Sequence, residues 1–229
     1  MTAIMRDKIW HLERINLFGE LPAEDLKCLA ERSQMQQIPG RTKVFMPGEA
    51  AQRVFFLKTG RIKLSRLGDN GRELTLGFIE PGEVFGELTG SDEELHETMA
   101  EAIEPSMICT MERREFEDFL ASRPGLSLKI AKFMGFRLRR IEARIQDLLF
   151  LDVKSRIRKV LRDLADEQGV MTPKGLRLNF KLTHEDIANL VGTTRATATT
   201  LLGELRNAGE LSLDGKFIVF PRSPANSQS

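Results

Sequence analysis

The chain has 229 residues, of which 41% are hydrophobic and 29% charged, with a formal net charge of +1. That is enough apolar material for two compact domains, and the composition is that of a globular protein, not a disordered one. The longest apolar runs, such as Phe217 to Phe220, are far too short to cross a bilayer. Met1 to Trp10 carries Arg6, Asp7 and Lys8 where a secretion signal needs an unbroken apolar core. Cys28 and Cys109 stand far apart in sequence, which excludes a disulfide framework and gives no metal-ligand spacing. Each is expected to be a small buried hydrophobe, and the compartment to be the cytoplasm.

The near-zero net charge hides segregation. Residues 80–120 hold 13 acidic and 2 basic side chains, a balance of −11, whereas residues 121–168 stand at +6 and residues 169–229 at +2. An acidic middle followed by a basic C-terminal half implies two surfaces with different partners. The basic half suits nucleic acid, because neutralising phosphates releases counterions.

In chain order, Pro22 to Gln36 opens as a helix, with Glu24 and Asp25 near the positive end of its dipole and Leu26, Leu29 and Ala30 as its apolar face. From Gln37 to Met111 the texture is β-rich. Lys43-Val44-Phe45-Met46, Val54-Phe55-Phe56-Leu57, Ile62-Lys63-Leu64-Ser65 and Leu74-Thr75-Leu76-Gly77-Phe78 are separated by turns at Gly48, Gly60, Gly71 and Gly82. Short strands at this spacing predict a small antiparallel barrel or sandwich, with a hairpin at Asp69-Asn70-Gly71.

After Pro124 the period becomes helical. Ala131, Met134, Leu138, Ile141, Ile145 and Leu148 follow a 3-4-3-4-3 spacing flanked by Arg137, Arg139, Arg140 and Arg144. That is the seam of a coiled coil, and it predicts a homodimer; a stripe packed on the chain's own domain is the competing reading. A further helix is expected from Val153 to Glu167, then a break over Asp166 to Thr172. The expected organisation is a sensor domain over 1–123, a dimerisation helix over 124–152 and a DNA-binding domain over 153–229. The fold class is α+β.

Leu182 to Leu205 carries the function. Thr183 can cap a helix with Glu185 and Asp186 in its first turn and Ile187, Leu190 and Val191 as its apolar face. Gly192 ends it in a left-handed conformation. Thr194 then caps a second helix that buries Ala198, Leu201, Leu202 and Leu205. This is a helix-turn-helix, with the second helix reading DNA. The reading face holds Thr193, Arg195, Ala196, Thr197, Thr199 and Thr200, and Arg195 can bond guanine bidentately. Thr183, His184, Thr194 and Arg206 complete the expected contacts. Glu210 to Phe220 reads as a hairpin wing around Asp214-Gly215, with Lys216 at its tip for phosphate. His11, His96 and His184 are dispersed, and there is neither a Gly-rich phosphate loop nor a nucleophile motif, so no enzyme is expected.

Across nearly its whole length the chain resembles the Crp/Fnr family of bacterial transcription regulators. The likeness rests on Asn16 to Pro22, Phe45-Met46-Pro47-Gly48-Glu49, Val54 to Gly60, Gly82-Glu83-Val84-Phe85-Gly86-Glu87-Leu88 and the hinge-like Phe150-Leu151-Asp152-Val153. The reader helix is most similar to cyanobacterial nitrogen-regulator members. The resemblance implies a β-roll holding an effector pocket, a dimer helix and a winged helix-turn-helix on a palindromic operator. Double-stranded DNA and RNA polymerase are the implied partners, with no membrane.

Departures from the family pattern bear on the effector. Cyclic-AMP-responsive members carry an arginine and then a serine or threonine where this chain has Glu97 and Thr98, and Asp92 to Glu97 holds no cation. A carboxylate facing the cyclic phosphate would repel it. The adenine-contacting positions of such members are here Ile141 and Glu142, while Glu87 remains at the ribose position. The expected pocket is Gly86, Glu87, Leu88, Glu97, Thr98, Arg137 and Ile141, and cyclic AMP is not expected to be its ligand. Iron–sulfur members need four cysteines, and 2-oxoglutarate would again want a cassette arginine. Haem would need an axial His96 or Cys109, His96 otherwise being read as a solvated loop histidine. Open alternatives are a haem-based sensor, a ligand reached by the dimer-helix arginines, a less charged ligand, a metal in the acidic segment, no ligand, or a β-roll module acting through a protein partner. Arg195, Ala196 and Thr200 keep one of the three groups that read the TGTGA half-site, so a different operator is expected.

Overall fold

A computed structural model describes residues 21–88 and 93–221; His11, Asn16 to Glu20 and Asp92 lie outside them. Helix α1, Ala23–Arg32, buries Leu26, Leu29 and Ala30. The segment Pro22 to Gln36 has a helical start in sequence, and the helix stops at Arg32. Ser33 is extended (φ −95°, ψ 147°), and Gln34–Ile38 (β1) pairs along its length with Ser106–Glu112 (β8). Glutamine-rich Gln34–Ile38 has no strand signature of its own; the pairing partner decides it.

The other strands of this region are Thr42–Phe45 (β2), Arg53–Thr59 (β3), Ile62–Leu67 (β4), Glu73–Ile79 (β5), Val84–Phe85 (β6) and Met99–Ala102 (β7). They form two four-stranded antiparallel sheets, ordered β1-β8-β3-β6 and β2-β7-β4-β5. The first sheet is covered on both faces, so β3 is buried without interruption from Val54 to Lys58. Phe55 and Leu57 pack with Phe45, Ile62, Leu64 and Phe85 between the sheets. Val54 and Phe56 pack on the other side with α1 and with Arg113–Ala121 (α2) through Leu29, Phe116 and Phe119. The Gly71 amide donates to the Gly68 carbonyl (2.8 Å) in the expected β4–β5 turn.

Helix α3, Pro124–Phe150, plants Leu126 and Ile130 in the core of the first sheet. Farther along it leaves Leu138, Ile145 and Leu148 exposed at 57%, 51% and 38%, values far from those of core leucines. Ile141 and Ala131 are exposed as well, whereas Met134 is half-buried against the β-roll core. The chain divides into two compact units, residues 1–71 with 76–140 and residues 72–75 with 141–229.

In the second unit, Asp152 caps α4 (Val153–Gln168) by accepting from the Ser155 amide at 2.8 Å. The expected break over Asp166 to Thr172 is instead the end of this helix followed by a strand. Gly169–Thr172 (β9) and Gly175–Leu178 (β10) form a hairpin in a sheet ordered β11-β12-β10-β9, with Ser212–Asp214 (β11) and Phe217–Phe220 (β12). Helices α5, His184–Val191, and α6, Arg195–Asn207, pack with α4 over Ile157, Leu161, Ile187, Val191, Ala198, Leu202 and Leu205.

Candidate nucleic-acid interface and effector cassette

The turn between α5 and α6 is fixed by backbone chemistry. Thr183 and Asp186 form a capping box: the Asp186 amide donates to the Thr183 hydroxyl oxygen (3.0 Å), and the Thr183 amide donates to the Asp186 carboxylate (2.8 Å). This satisfies two donors that the first turn leaves open. Gly192 closes α5 at φ 66°, ψ 46°, and the Thr193 amide bonds back to the Ala188 carbonyl (3.0 Å). A side chain at that φ would be strained. Thr194 starts α6 by accepting from the Thr197 amide at 3.2 Å.

These caps place Arg195, Ala196, Thr197, Thr199 and Thr200 on an exposed face, with Thr193 half-buried at its edge. The threonine hydroxyls turn largely onto their own helix. Thr199 donates to the Arg195 carbonyl (2.8 Å), Thr200 to the Ala196 carbonyl (3.2 Å), and the hydroxyls of Thr194 and Thr197 bond each other (2.9 Å). Thr199 also meets His184 Nδ1 at 2.8 Å, a contact between α5 and α6 that no sequence motif signals. Leu201, expected in the core, is only half-buried; Ala198, Leu202 and Leu205 carry that face.

Charge is distributed unevenly over this unit. Lys154 pairs with Glu204 (2.8 Å), Arg158 with Glu210, and Lys174 and Arg177 with Asp214 (2.6 and 3.3 Å). The hydrogen bond from Lys174 holds the Asp214 carboxyl below its usual range, and the bond from Arg158 does the same for Glu210. Arg195, Arg206 and Lys216 are exposed and have no ion-pair partner among the described residues. Lys216 follows Gly215 (φ 62°) in the expected β11–β12 turn.

The cassette of the first unit contrasts with this face. A cavity of about 620 Å³ is lined by Gly48, Glu87, Glu94, Leu95, His96, Glu97 and Thr98. Gly86 (φ 91°) is not among the lining residues; it turns the chain just before Glu87, and a Cβ on it would lie 2.9 Å from the Phe55 ring. His96 corrects the sequence reading: it is buried, not solvated. Its ring stacks on Phe45 with centroids 3.8 Å apart, and its Nδ1 meets the Glu87 carboxylate. The segment is drawn inward by backbone bonds to Gly48 and Glu49 (2.9 and 2.8 Å), which an acidic sequence does not reveal. Glu97 pairs with Arg66, and Glu94 with buried Arg113 (3.3 Å).

Other expected pocket residues are scattered. Leu88 packs half-buried on the helix-covered core. Arg137 does not line the cavity; burial lowers its pKa, opposed by the nearby Glu83 carboxylate, whose own pKa burial raises. Ile141 belongs to the second unit. Cys109 is fully buried in the core as expected, while Cys28 is only half-buried at its margin. Among the described residues no group of three or more histidine, cysteine or carboxylate side chains is placed to hold a metal, and no helix is long and apolar enough to cross a membrane.

Comparisons with known proteins follow the same division. Residues 35–123 match the cyclic nucleotide-binding domain, and residues 155–222 the Crp-like helix-turn-helix domain. The chain is 31% identical to a "CRP-like cAMP-activated global transcriptional regulator" of Mycobacterium tuberculosis, over 93% of this chain and 95% of that one. It is 36% identical to the "Global nitrogen regulator" of a Synechocystis strain, over 81% and 83%. In structure it is similar to the c-di-GMP-responsive global regulator CLP of Xanthomonas campestris, with a TM-score of 0.77 and 26% identity over 88% of this chain and all of the other. On identity that spans nearly both chains, and on two matched domains in the order that the fold displays, the protein belongs to the Crp/Fnr family of transcription regulators.

Proposed function

We propose that the protein is a homodimeric, sequence-specific DNA-binding regulator that lays its two α6 helices in successive major grooves of a palindromic operator. One observation carries this reading. Arg195, at the first turn of α6, is exposed and without an ion pair among the described residues, while Lys154, Arg158, Lys174 and Arg177 of the same unit are held by Glu204, Glu210 and Asp214. A guanidinium left free on a threonine-lined helix start is suited to a guanine edge, and Lys216 in the wing to phosphate. The exposed stripe of Leu138, Ile141, Ile145 and Leu148 supports association through α3. RNA polymerase is the protein partner proposed at the promoter, in the cytoplasm. A salt series of fluorescence anisotropy with duplex DNA tests the reading: affinity should fall steeply with salt, and a chain that binds no duplex at low salt overturns it.

Control without cyclic AMP is the second part of the proposal. Glu97, at the position where a phosphate-gripping arginine would be expected, reaches Arg66, and the cavity presents the carboxylates of Glu87, Glu94 and Glu97. Adding a phosphate diester would oppose like charges. Calorimetry should show no micromolar binding of cyclic AMP, and DNA affinity should not respond to it. A micromolar dissociation constant sinks this part and leaves DNA binding standing.

A further inference from the structure

The contact between His184 and Thr199 has a direction that the hydrogen-bond inventory fixes. A threonine hydroxyl has one proton to give. Thr199 gives it to the Arg195 carbonyl, 2.8 Å away in the preceding turn of α6. The 2.8 Å contact with His184 must therefore run the other way, with Nδ1–H as donor and the hydroxyl oxygen as acceptor. That holds the imidazole in the tautomer protonated at Nδ1 and leaves Nε2 as the remaining nitrogen. His184 is exposed at the first position of α5, and Nε2 has no partner among the described residues.

A neutral imidazole held this way presents a lone pair at Nε2, which repels a phosphate oxygen. The imidazolium presents an N–H at the same place and bonds it. In a helix-turn-helix the first helix crosses the DNA backbone while the second enters the groove. Resting on that DNA-binding reading, we propose that DNA binding by this protein takes up a proton at His184 of each protomer. Nε2 changes from a phosphate-repelling acceptor to a phosphate-binding donor, so falling pH tightens the complex.

Charged residues on His184's own segment and on the helices packed against it bear on the ring. On its own segment they are Lys181, Glu185 and Asp186, the last engaged in the capping box with Thr183. From α6 there is Arg195, whose carbonyl ends the Thr199 chain. From α4, Lys154 and Arg158 are drawn off by Glu204 and Glu210. DNA phosphates would add negative charge at this nitrogen, and histidine is the side chain whose charge changes in the physiological range. The sign follows. Binding favours the protonated form, so the added affinity is present at low pH and lost as pH rises.

The test uses the full-length protein and a short duplex of random sequence at fixed salt, followed by anisotropy. Wild-type affinity should rise by about tenfold or more from about pH 8 to about pH 6, and the salt dependence should steepen by about one ion per protomer. His184→Gln should be flat with pH and as weak as the wild type at high pH. His184→Arg should be flat and as tight as the wild type at low pH. The ring is exposed, so neither variant threatens folding. A pH-independent wild type, or a His184→Gln variant that keeps the pH slope, overturns the inference while the DNA-binding reading stands. A wild type that binds no duplex at any pH overturns both.

Discussion

The α6 face and the β-roll cassette are both polar and both border open space, yet they treat their charges in opposite ways. In the cassette, Glu87 meets His96, Glu94 meets Arg113 and Glu97 meets Arg66. Ligand binding there has to break or bypass bonds that already exist. On α6 the threonine hydroxyls bond the helix's own backbone, and Arg195 there and Lys216 in the β11–β12 turn are left to a partner from outside. The difference teaches where an external anion can gain most. A free cation contributes a new charge-assisted bond, whereas a paired one only exchanges partners.

The strongest way to break the comparison is to remove the frame that, in the proposed dimer, holds two reading faces at once. Ile141→Asp should convert the protein to monomers in sedimentation. In the proposed dimer, burial of Leu138, Ile141 and Ile145 against symmetry mates would contribute about 1.5–3 kcal/mol per side chain, and a carboxylate in that seam would forfeit it. A variant that still sediments as a dimer places the seam elsewhere. Next in size, Arg195→Ala should cost about 1–3 kcal/mol of specific binding and relax preference at a single base pair. Equal losses on specific and random duplexes would remove Arg195 from base readout. In the cassette, Glu97→Arg should release Arg66 and bring a second cation to the cavity, so weak binding of cyclic AMP should appear by calorimetry where the wild type shows none. If that variant also binds nothing, the remaining carboxylates of Glu87 and Glu94 or the shape of the cavity exclude the nucleotide whatever residue 97 carries.

The DNA-binding half was the more legible in sequence because its signals are local. Thr183, Asp186, Gly192 and Thr194 set caps and a turn within twelve residues, and each does what its chemistry dictates. The β-roll was legible where strands are apolar, as in Val54 to Leu57, and opaque where pairing comes from afar. Gln34–Ile38 is a strand because β8 lies beside it, and Met99–Ala102, with two alanines and a glutamate, because β2 and β4 flank it. His96 was misread for the same reason. Its neighbours in sequence are acids, but its partners in space are Phe45, about fifty residues back in the chain, and Glu87, nine residues back.

The smallest effect sharpens the comparison most, because it isolates charge from geometry. Lys216 follows Gly215 in the two-strand wing, while Lys174 and Arg177 on the β9–β10 hairpin are both turned onto Asp214 of the wing. Its ammonium is a compact point charge on a flexible stem, suited to a phosphate and not to a base edge. Lys216→Ala should therefore weaken specific and random duplexes alike, leave the preferred sequence unchanged and reduce the salt slope by about one for each wing that touches DNA. Asp214→Asn is the complement. Removing that carboxylate frees Lys174 and Arg177, so random-duplex affinity should rise and the salt slope steepen. If instead Asp214→Asn changes neither, the wing does not approach phosphate, and the free cations left to DNA on this face are Arg195 and Arg206 of α6.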